Sequence, residues 1–139
     1  MTVLARLVRF HRHRLDEKRR VLRELQDRSA AIEGRIAALE DSMVSEGKSA
    51  SRMRDTMGDY GNFVRAALDR RVLLLDELRE ADAAVEAARD ELLELFAEMK
   101  RFEISLDHHQ QQERLALERR IQEALDEAAL NLHRRRHAS

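Results

Sequence analysis

The chain has 139 residues, of which 38% are Asp, Glu, Lys or Arg and 4% are aromatic, and it contains no Pro, Cys or Trp. This composition is typical of long helices and coiled coils, and the absence of cysteine excludes disulfide frameworks and thiolate metal sites. The formal net charge of -1 at pH 7 predicts no partner by itself. Neither a signal peptide nor an apolar run long enough to span a membrane is found, so we expect a soluble protein that is not secreted.

A seven-residue apolar repeat predicts a first helix over about residues 3–57. Alternating steps of four and three residues from Leu4 to Met57 give sixteen positions, and twelve of them are apolar. The four exceptions are His11, Lys18, Ser29 and Glu46. A repeat held over this length needs a second apolar helix face to cover it, and it implies a left-handed supercoil.

The sequence GDYG, which runs from Gly58 to Gly61, predicts the tip of a hairpin at these four positions. Glycine adopts positive φ without steric cost, so two glycines three residues apart favour a chain reversal. The run VSEGKSASR around Gly47 is the alternative place for the turn, because it is the least helix-favouring stretch of the first half.

The same repeat resumes at Val64 and predicts a second helix over about residues 62–133, followed by a basic tail at 134–139. Twelve of the thirteen positions from Val64 to Leu106 are apolar, and Arg71 is the exception. The segment DHHQQQER then shifts the register by about one residue, as a stutter would, and helix is favoured over a loop there. The repeat continues through Leu117, Ile121, Ala124 and Ala128.

These elements predict an all-α fold, in which a single domain over residues 1–139 forms a long antiparallel two-helix coiled-coil hairpin. Both termini then lie at the end opposite the tip, with Leu4 opposite roughly residue 115 and about 20 C-terminal residues overhanging. Residues 1–24 carry eight Lys or Arg against three acids, whereas residues 76–103 carry ten acids against four bases. We therefore expect one strongly basic end and an acidic middle.

No motif for catalysis, for a cofactor or for a metal stands out in the sequence. His133 and His137 have the spacing of a helical metal pair, but they flank three arginines that repel a cation. The many carboxylates four positions from Lys or Arg are typical of a solvated helix surface. We therefore predict no enzyme activity, no cofactor and no metal.

The basic end is the first candidate partner surface. Its arginines are Arg6, Arg9, Arg12, Arg14, Arg19, Arg20, Arg134, Arg135 and Arg136. Arginine near a helix N-terminus opposes the macrodipole, so this placement suggests a docking role toward an acidic partner. The alternative is a solvated end with no partner.

Apolar residues beside the repeat mark a second candidate surface. They are Tyr60 and Phe63 at the predicted tip and the stripe Leu68, Val72 and Leu75. The stripe has i, i+4, i+7 spacing, so it suits a groove or a helix of another protein. The alternatives are that the two rings cap the hairpin, and that the stripe widens the core or self-associates.

Four segments together resemble the flagellar FliJ family of the type III export apparatus. They are the opening LARLVRFHRHRLDEKRRVLREL, the YxxF pattern at Tyr60 and Phe63, KRFEISLDHH from Lys100, and LDEAALNLHRRR with Asp126 and Glu127. The resemblance covers essentially the whole chain. It implies an antiparallel coiled coil similar to the rotor stalk of rotary ATPases.

The resemblance also implies partners. The end with both termini and its arginines would enter the pore of a hexameric export ATPase as a central stalk, and would promote the assembly and activity of that ring. Tyr60 and Phe63 match the family's pattern for contact with the export-gate membrane protein, and the family binds export chaperones. The protein would be cytoplasmic, and only protein partners would hold it at the inner membrane.

Two other functions compete with this one. A nucleic-acid-binding coiled coil would place HRHR and RRRH on phosphates, but the acidic middle would repel a duplex, so we expect no nucleic acid. A generic scaffold would associate in parallel through the same heptads, and its dimer would have twice the chain mass of 16.2 kDa.

Overall fold

The computed structural model describes residues 2–52 and 57–138, except the side chain of Met57. Within these ranges the chain forms two α-helices, α1 over Val3–Arg52 and α2 over Met57–His137, and no strand. The two helices pack against each other as a hairpin, which confirms the predicted all-α coiled-coil fold. Neither helix, as far as it is described, has a stretch long and apolar enough to cross a membrane.

Neither of the two predicted turn positions is a turn in the structure. Residues 58–61, predicted as the tip, belong to the first turns of α2, and Gly47 lies inside α1. The described glycines all lack a positive φ, so their freedom to reverse the chain is not used. A helical glycine costs only about 1 kcal/mol relative to alanine, which the packing of a long helix outweighs. Residues 53–56, with the repeat position Met53, lie outside the described residues.

The end of α2 also differs from its predicted limit at residue 133. The helix continues to His137, so the three arginines at 134–136 are helical rather than part of a tail. The last turn of α2 is entirely basic, with Arg134, Arg135, Arg136 and His137. Positive side chains interact favourably with the negative end of the helix macrodipole, which explains why the helix persists there.

The chain divides into two compact units, one of which comprises residues 14–95. Its core is a cluster of Ile32, Ile36, Leu74 and Ala81, each at most 8% exposed, with Leu39, Leu75 and Leu78 packed against it. All of these except Leu75 are positions of the predicted seven-residue repeat. Leu75 comes from the flanking stripe, so this member of the stripe widens the core.

Three polar positions of the repeat have partners on the opposite helix of this unit. The pairs are Lys18 with Glu91, Ser29 with Asp82, and Arg71 with Glu40. The Ser29 hydroxyl donates to Asp82 Oδ1 at 2.7 Å, and Arg71 Nε donates to Glu40 Oε1 at 3.0 Å. As the α1 member of a pair advances along the chain, the α2 member moves back. The pairs therefore fix an antiparallel register while they satisfy polar groups within the seam.

The other unit comprises residues 1–13 and 96–139. Val8 and Met99 are buried there, at 2% and 6% exposed, and Arg12 pairs with Glu103 across the two helices at 3.0 Å. This pair places Leu4 opposite about residue 111, rather than residue 115, if the helices run antiparallel.

Beyond Leu106, α2 continues without a buried residue. Every residue from Asp107 to Ala138 is exposed, and the helix is unbroken to His137, including the HHQQQ segment. We name residues 107–137 the α2 overhang. It is longer than the predicted overhang of about 20 residues for two reasons. The Arg12–Glu103 pair moves Leu4 from residue 115 to about residue 111, and residues 107–111 are exposed although they lie opposite the first turns of α1.

We expect opposite behaviour from two glycine-to-alanine substitutions in α1. A Cβ added at Gly34 meets nothing within 4 Å, so Gly34→Ala should raise the free energy of unfolding by about 1 kcal/mol through helix propensity. A Cβ added at Gly47 would lie 2.8 Å from Tyr60 Oη, so Gly47→Ala should lose this gain because the ring must move. Chemical denaturation followed by circular dichroism measures both. Equal gains would contradict the packing of Tyr60 on Gly47.

Candidate partner-binding surfaces

The first turns of α1 expose a basic surface. Arg6, Arg9 and Arg12 are exposed, and among the described residues the side chains of Arg6 and Arg9 make no ion pair. Arg12 differs, because its guanidinium lies 3.0 Å from Glu103 Oε1. Hydrogen bonds from Lys100 and Arg12 lower the pKa of Glu103, so this carboxylate is ionised at neutral pH and offsets part of the positive charge. The free positive charge here therefore comes from Arg6 and Arg9.

Three further predicted arginines, Arg14, Arg19 and Arg20, belong to the unit of residues 14–95. All three are exposed. Arg19 has a partner one turn earlier, since its guanidinium lies 3.3 Å from Asp16 Oδ1. An exposed pair of this kind contributes little to stability, so it costs little to replace it when a partner binds Arg19.

The arginines at 134–136 lie apart from those of α1 in the same unit. They form the last turn of the α2 overhang, and about 30 residues of helix separate them from Glu103, the partner of Arg12. At about 1.5 Å per residue this is roughly 45 Å. The structure therefore separates the predicted basic end into an α1 part and an overhang part, because α2 extends past the start of α1.

The buried face of α1 in this unit contains a histidine that sequence reasoning treated only as an exception to the repeat. His11 is 6% exposed, and its ring stacks on Phe102 with centroids 4.5 Å apart and an interplanar angle of 13°. Phe10 meets the same ring edge-on at 5.4 Å. Nδ1 of His11 is buried with no hydrogen-bond partner in the described structure. The flat ring thus fills the place of an apolar residue between the helices.

The residues predicted near the tip divide into covered and exposed groups. Tyr60 and Phe63 are half-buried, and Tyr60 packs on Gly47 of α1, which supports the alternative that this ring caps the hairpin. Leu68 and Val72 are 47% and 59% exposed. These two side chains therefore remain as the exposed part of the predicted stripe. The close approach at Gly47 has no signal in the sequence beyond the glycine itself.

The α2 overhang exposes a second set of large apolar side chains. They are Leu115, Leu117, Ile121, Leu125, Leu130 and Leu132, each more than half exposed. The sequence predicted both that the repeat continues here and that most of this stretch overhangs α1. Metal-binding groups of three or more His, Cys, Asp or Glu residues are absent from the described chain.

Replacing the buried imidazole should stabilise the hairpin. His11→Leu removes a polar atom that has no partner, so we expect the free energy of unfolding to rise by about 1 kcal/mol. Denaturant titration at neutral pH measures the change. His108→Leu on the exposed overhang is the control and should leave the stability nearly unchanged. A loss of stability in His11→Leu would mean that the stacking on Phe102 outweighs the buried nitrogen.

Comparison with known protein families gives a match over nearly the whole chain. A family model described as Flagellar FliJ protein matches residues 1–138. Comparisons with individual curated proteins and with solved structures find no match.

Proposed function

Because the chain belongs to the flagellar FliJ family, and is thus a component of flagellar export, we propose that it serves as the central stalk of the export ATPase. In this role it binds the pore of the hexameric ring and promotes assembly and ATP hydrolysis. It also links the ring to the export gate and to export chaperones. The protein acts in the cytoplasm, at the cytoplasmic face of the inner membrane, and has no enzymatic activity of its own.

The observation that carries this proposal is the α2 overhang. It is a helix without a covering partner, and it ends in three arginines that favour the helix form through the macrodipole. A single helix has a diameter of about 10–12 Å with its side chains, so it fits a narrower channel than a pair of helices does. The apolar side chains of the overhang supply contact area, and the arginines favour an acidic pore.

Arg6 and Arg9 support the same proposal from α1. They are exposed and form no ion pair among the described residues, so their positive charges can attract an acidic partner. Clustered charge of one sign accelerates association with a surface of the opposite sign. We assign them, with the other predicted arginines of α1, to the rim of the pore.

The second contact of the proposed stalk uses the exposed stripe on α2. Leu68 and Val72 are the exposed members. Leu75 packs against the core of the hairpin, and Tyr60 and Phe63 are half-buried. An exposed pair of branched apolar residues on a helix suits an apolar groove. We propose that the export-gate protein provides this groove and that the YxxF residues flank it.

Charge reversal separates the proposed ring contact from the fold. The triple variant Arg6→Glu, Arg9→Glu, Arg135→Glu should abolish stimulation of ATP hydrolysis and hexamer formation by the export ATPase of the same genome. Its helicity should not change, because these side chains are exposed. We leave Arg12 intact because it pairs with Glu103.

The matched control reverses three exposed arginines elsewhere, at Arg28, Arg35 and Arg65. The control changes the net charge by the same amount and should keep the stimulation. Full stimulation by the first triple variant would exclude the proposed pore contact.

Polar substitution tests the second contact. Leu68→Ser with Val72→Ser should weaken binding to the cytoplasmic part of the export-gate protein by about tenfold or more, while ATPase stimulation stays unchanged. Val44→Ser is the control, since Val44 on α1 is also 59% exposed. Calorimetry measures the binding. Equal losses in the stripe variant and the control would contradict a specific role for the stripe.

A further inference from the structure

The apolar stripe of the α2 overhang has the form of an uncovered coiled-coil face. Its seven-residue positions are Leu117, Ile121, Ala124 and Ala128, and all of them are exposed. Leu125 and Leu132, at 60% and 58% exposed, widen it on one side. The stripe continues the seam of the hairpin after the register shift that follows Leu106. Covering such a face with another helix removes its apolar side chains from water and stabilises it.

We propose that a second copy of this chain covers the overhang, with the two overhangs paired in antiparallel orientation. In an antiparallel coiled coil the a positions of one helix meet the d positions of the other, and the g positions of both helices lie along the same edge. By the four-three spacing, Leu117 and Ala124 are d positions, and Ile121 and Ala128 are a positions. The proposal goes beyond the proposed stalk function.

The core residues fit this pairing by size. With Ile121 opposite Ala124 of the second copy, Leu117 lies opposite Ala128 of the second copy. Symmetry repeats both layers, so each of the four layers combines one large and one small side chain. Alternation of large and small residues across an interface lets two helices approach closely without leaving a void.

The charges at the edge of the stripe fit the same register. The g positions are Glu113, Arg120, Glu127 and Arg134, which alternate in sign. In the register set by the core, Arg120 faces Glu127 of the second copy, and Glu113 faces Arg134 of the second copy. Symmetry doubles these contacts to four opposite-charge pairs. Glu113 also lies 3.1 Å from His109 on its own helix, in an exposed contact that a partner can replace.

Other pairings of two overhangs place like charges together. A shift of the antiparallel register by one heptad brings Arg120 opposite either Arg120 or Arg134 of the second copy, and it brings Glu127 opposite another glutamate. A parallel, in-register pair brings Glu113 opposite Glu118 of the second copy and provides no compensating g-to-e attraction. Charges at g and e positions set orientation and register in coiled coils. The pattern therefore disfavours these pairings, and a shift by two heptads keeps only two of the four opposite-charge contacts.

The length of the overhang accommodates this pairing. The paired stretch from Glu113 to Arg134 lies wholly within residues 107–137, and it is helical without interruption. The self-paired form covers both the apolar stripe and Arg134. It therefore excludes the overhang from any other channel or groove at the same time.

The test measures the mass of the full chain by sedimentation equilibrium over a micromolar to millimolar concentration series. The wild type should pass from 16.2 kDa to twice that mass. Arg120→Glu should weaken the dimer by about tenfold or more, because symmetry turns two attractive contacts into two repulsive ones. The double variant Arg120→Glu, Glu127→Arg restores opposite charges and should recover the wild-type affinity. Arg119→Glu, at an outward position, is the matched control.

Single cysteines test the orientation, since the natural chain contains no cysteine. A mixture of Leu117→Cys and Ala128→Cys chains should form a mixed disulfide, because these positions are opposite each other in the antiparallel pair. Each variant alone should cross-link poorly, since its own two cysteines would be about 11 residues, or roughly 16 Å, apart along the axis.

Three results would overturn the proposal. The mass could stay at 16.2 kDa at every concentration, which would reserve the overhang for a different protein. Arg119→Glu could weaken the dimer as much as Arg120→Glu does. Equal cross-linking of Leu117→Cys with itself would indicate a parallel pair. Stimulation of the export ATPase is measured in a separate experiment, with the ATPase in excess over this chain so that the chain is not self-paired. Failure of self-pairing and failure of the stalk function therefore give different results.

Discussion

The burial of two seven-residue apolar repeats against each other is the interaction on which this protein depends. The chain has few aromatic residues and no disulfide, so no other source of stability matches the area that the seam removes from water. The core cluster around Ile32 and Leu74 belongs to this seam. Apolar packing in the seam is non-directional, so it discriminates weakly between neighbouring registers. Polar pairs between the helices, such as Ser29 with Asp82, distinguish one register from the next.

The register in turn decides which surfaces remain exposed. Since Arg12 pairs with Glu103, α1 reaches no further than about residue 112 of α2, and the apolar repeat from Leu117 onward is left in water. The basic last turn keeps that helix formed in the absence of a partner. The overhang therefore combines a formed helix with an apolar face that no part of the described chain covers.

Periodicity predicted most of the fold, whereas the features that depend on contacts between the helices escaped it. All thirteen repeat positions from Val64 to Leu106 are buried or half-buried, including Arg71 with its partner Glu40. The turn predicted at residues 58–61 is helix instead, because glycine at 58 and 61 permits a reversal without requiring one. The packing of Tyr60 on Gly47 and the true length of the overhang follow from the inter-helix register, which a single sequence does not display.

The same physical argument explains why charge, rather than further apolar area, governs what the overhang binds. Its stripe pairs large with small residues, so its apolar area alone discriminates weakly among helices of similar spacing. Alternating charges at Glu113, Arg120, Glu127 and Arg134 add repulsion against registers shifted by one heptad when the partner is a second copy. An acidic channel meets the arginines of this set and the last turn without such a constraint. Partner choice at this end therefore depends on the sign and spacing of the opposing charges, and ionic strength should affect the two partners unequally.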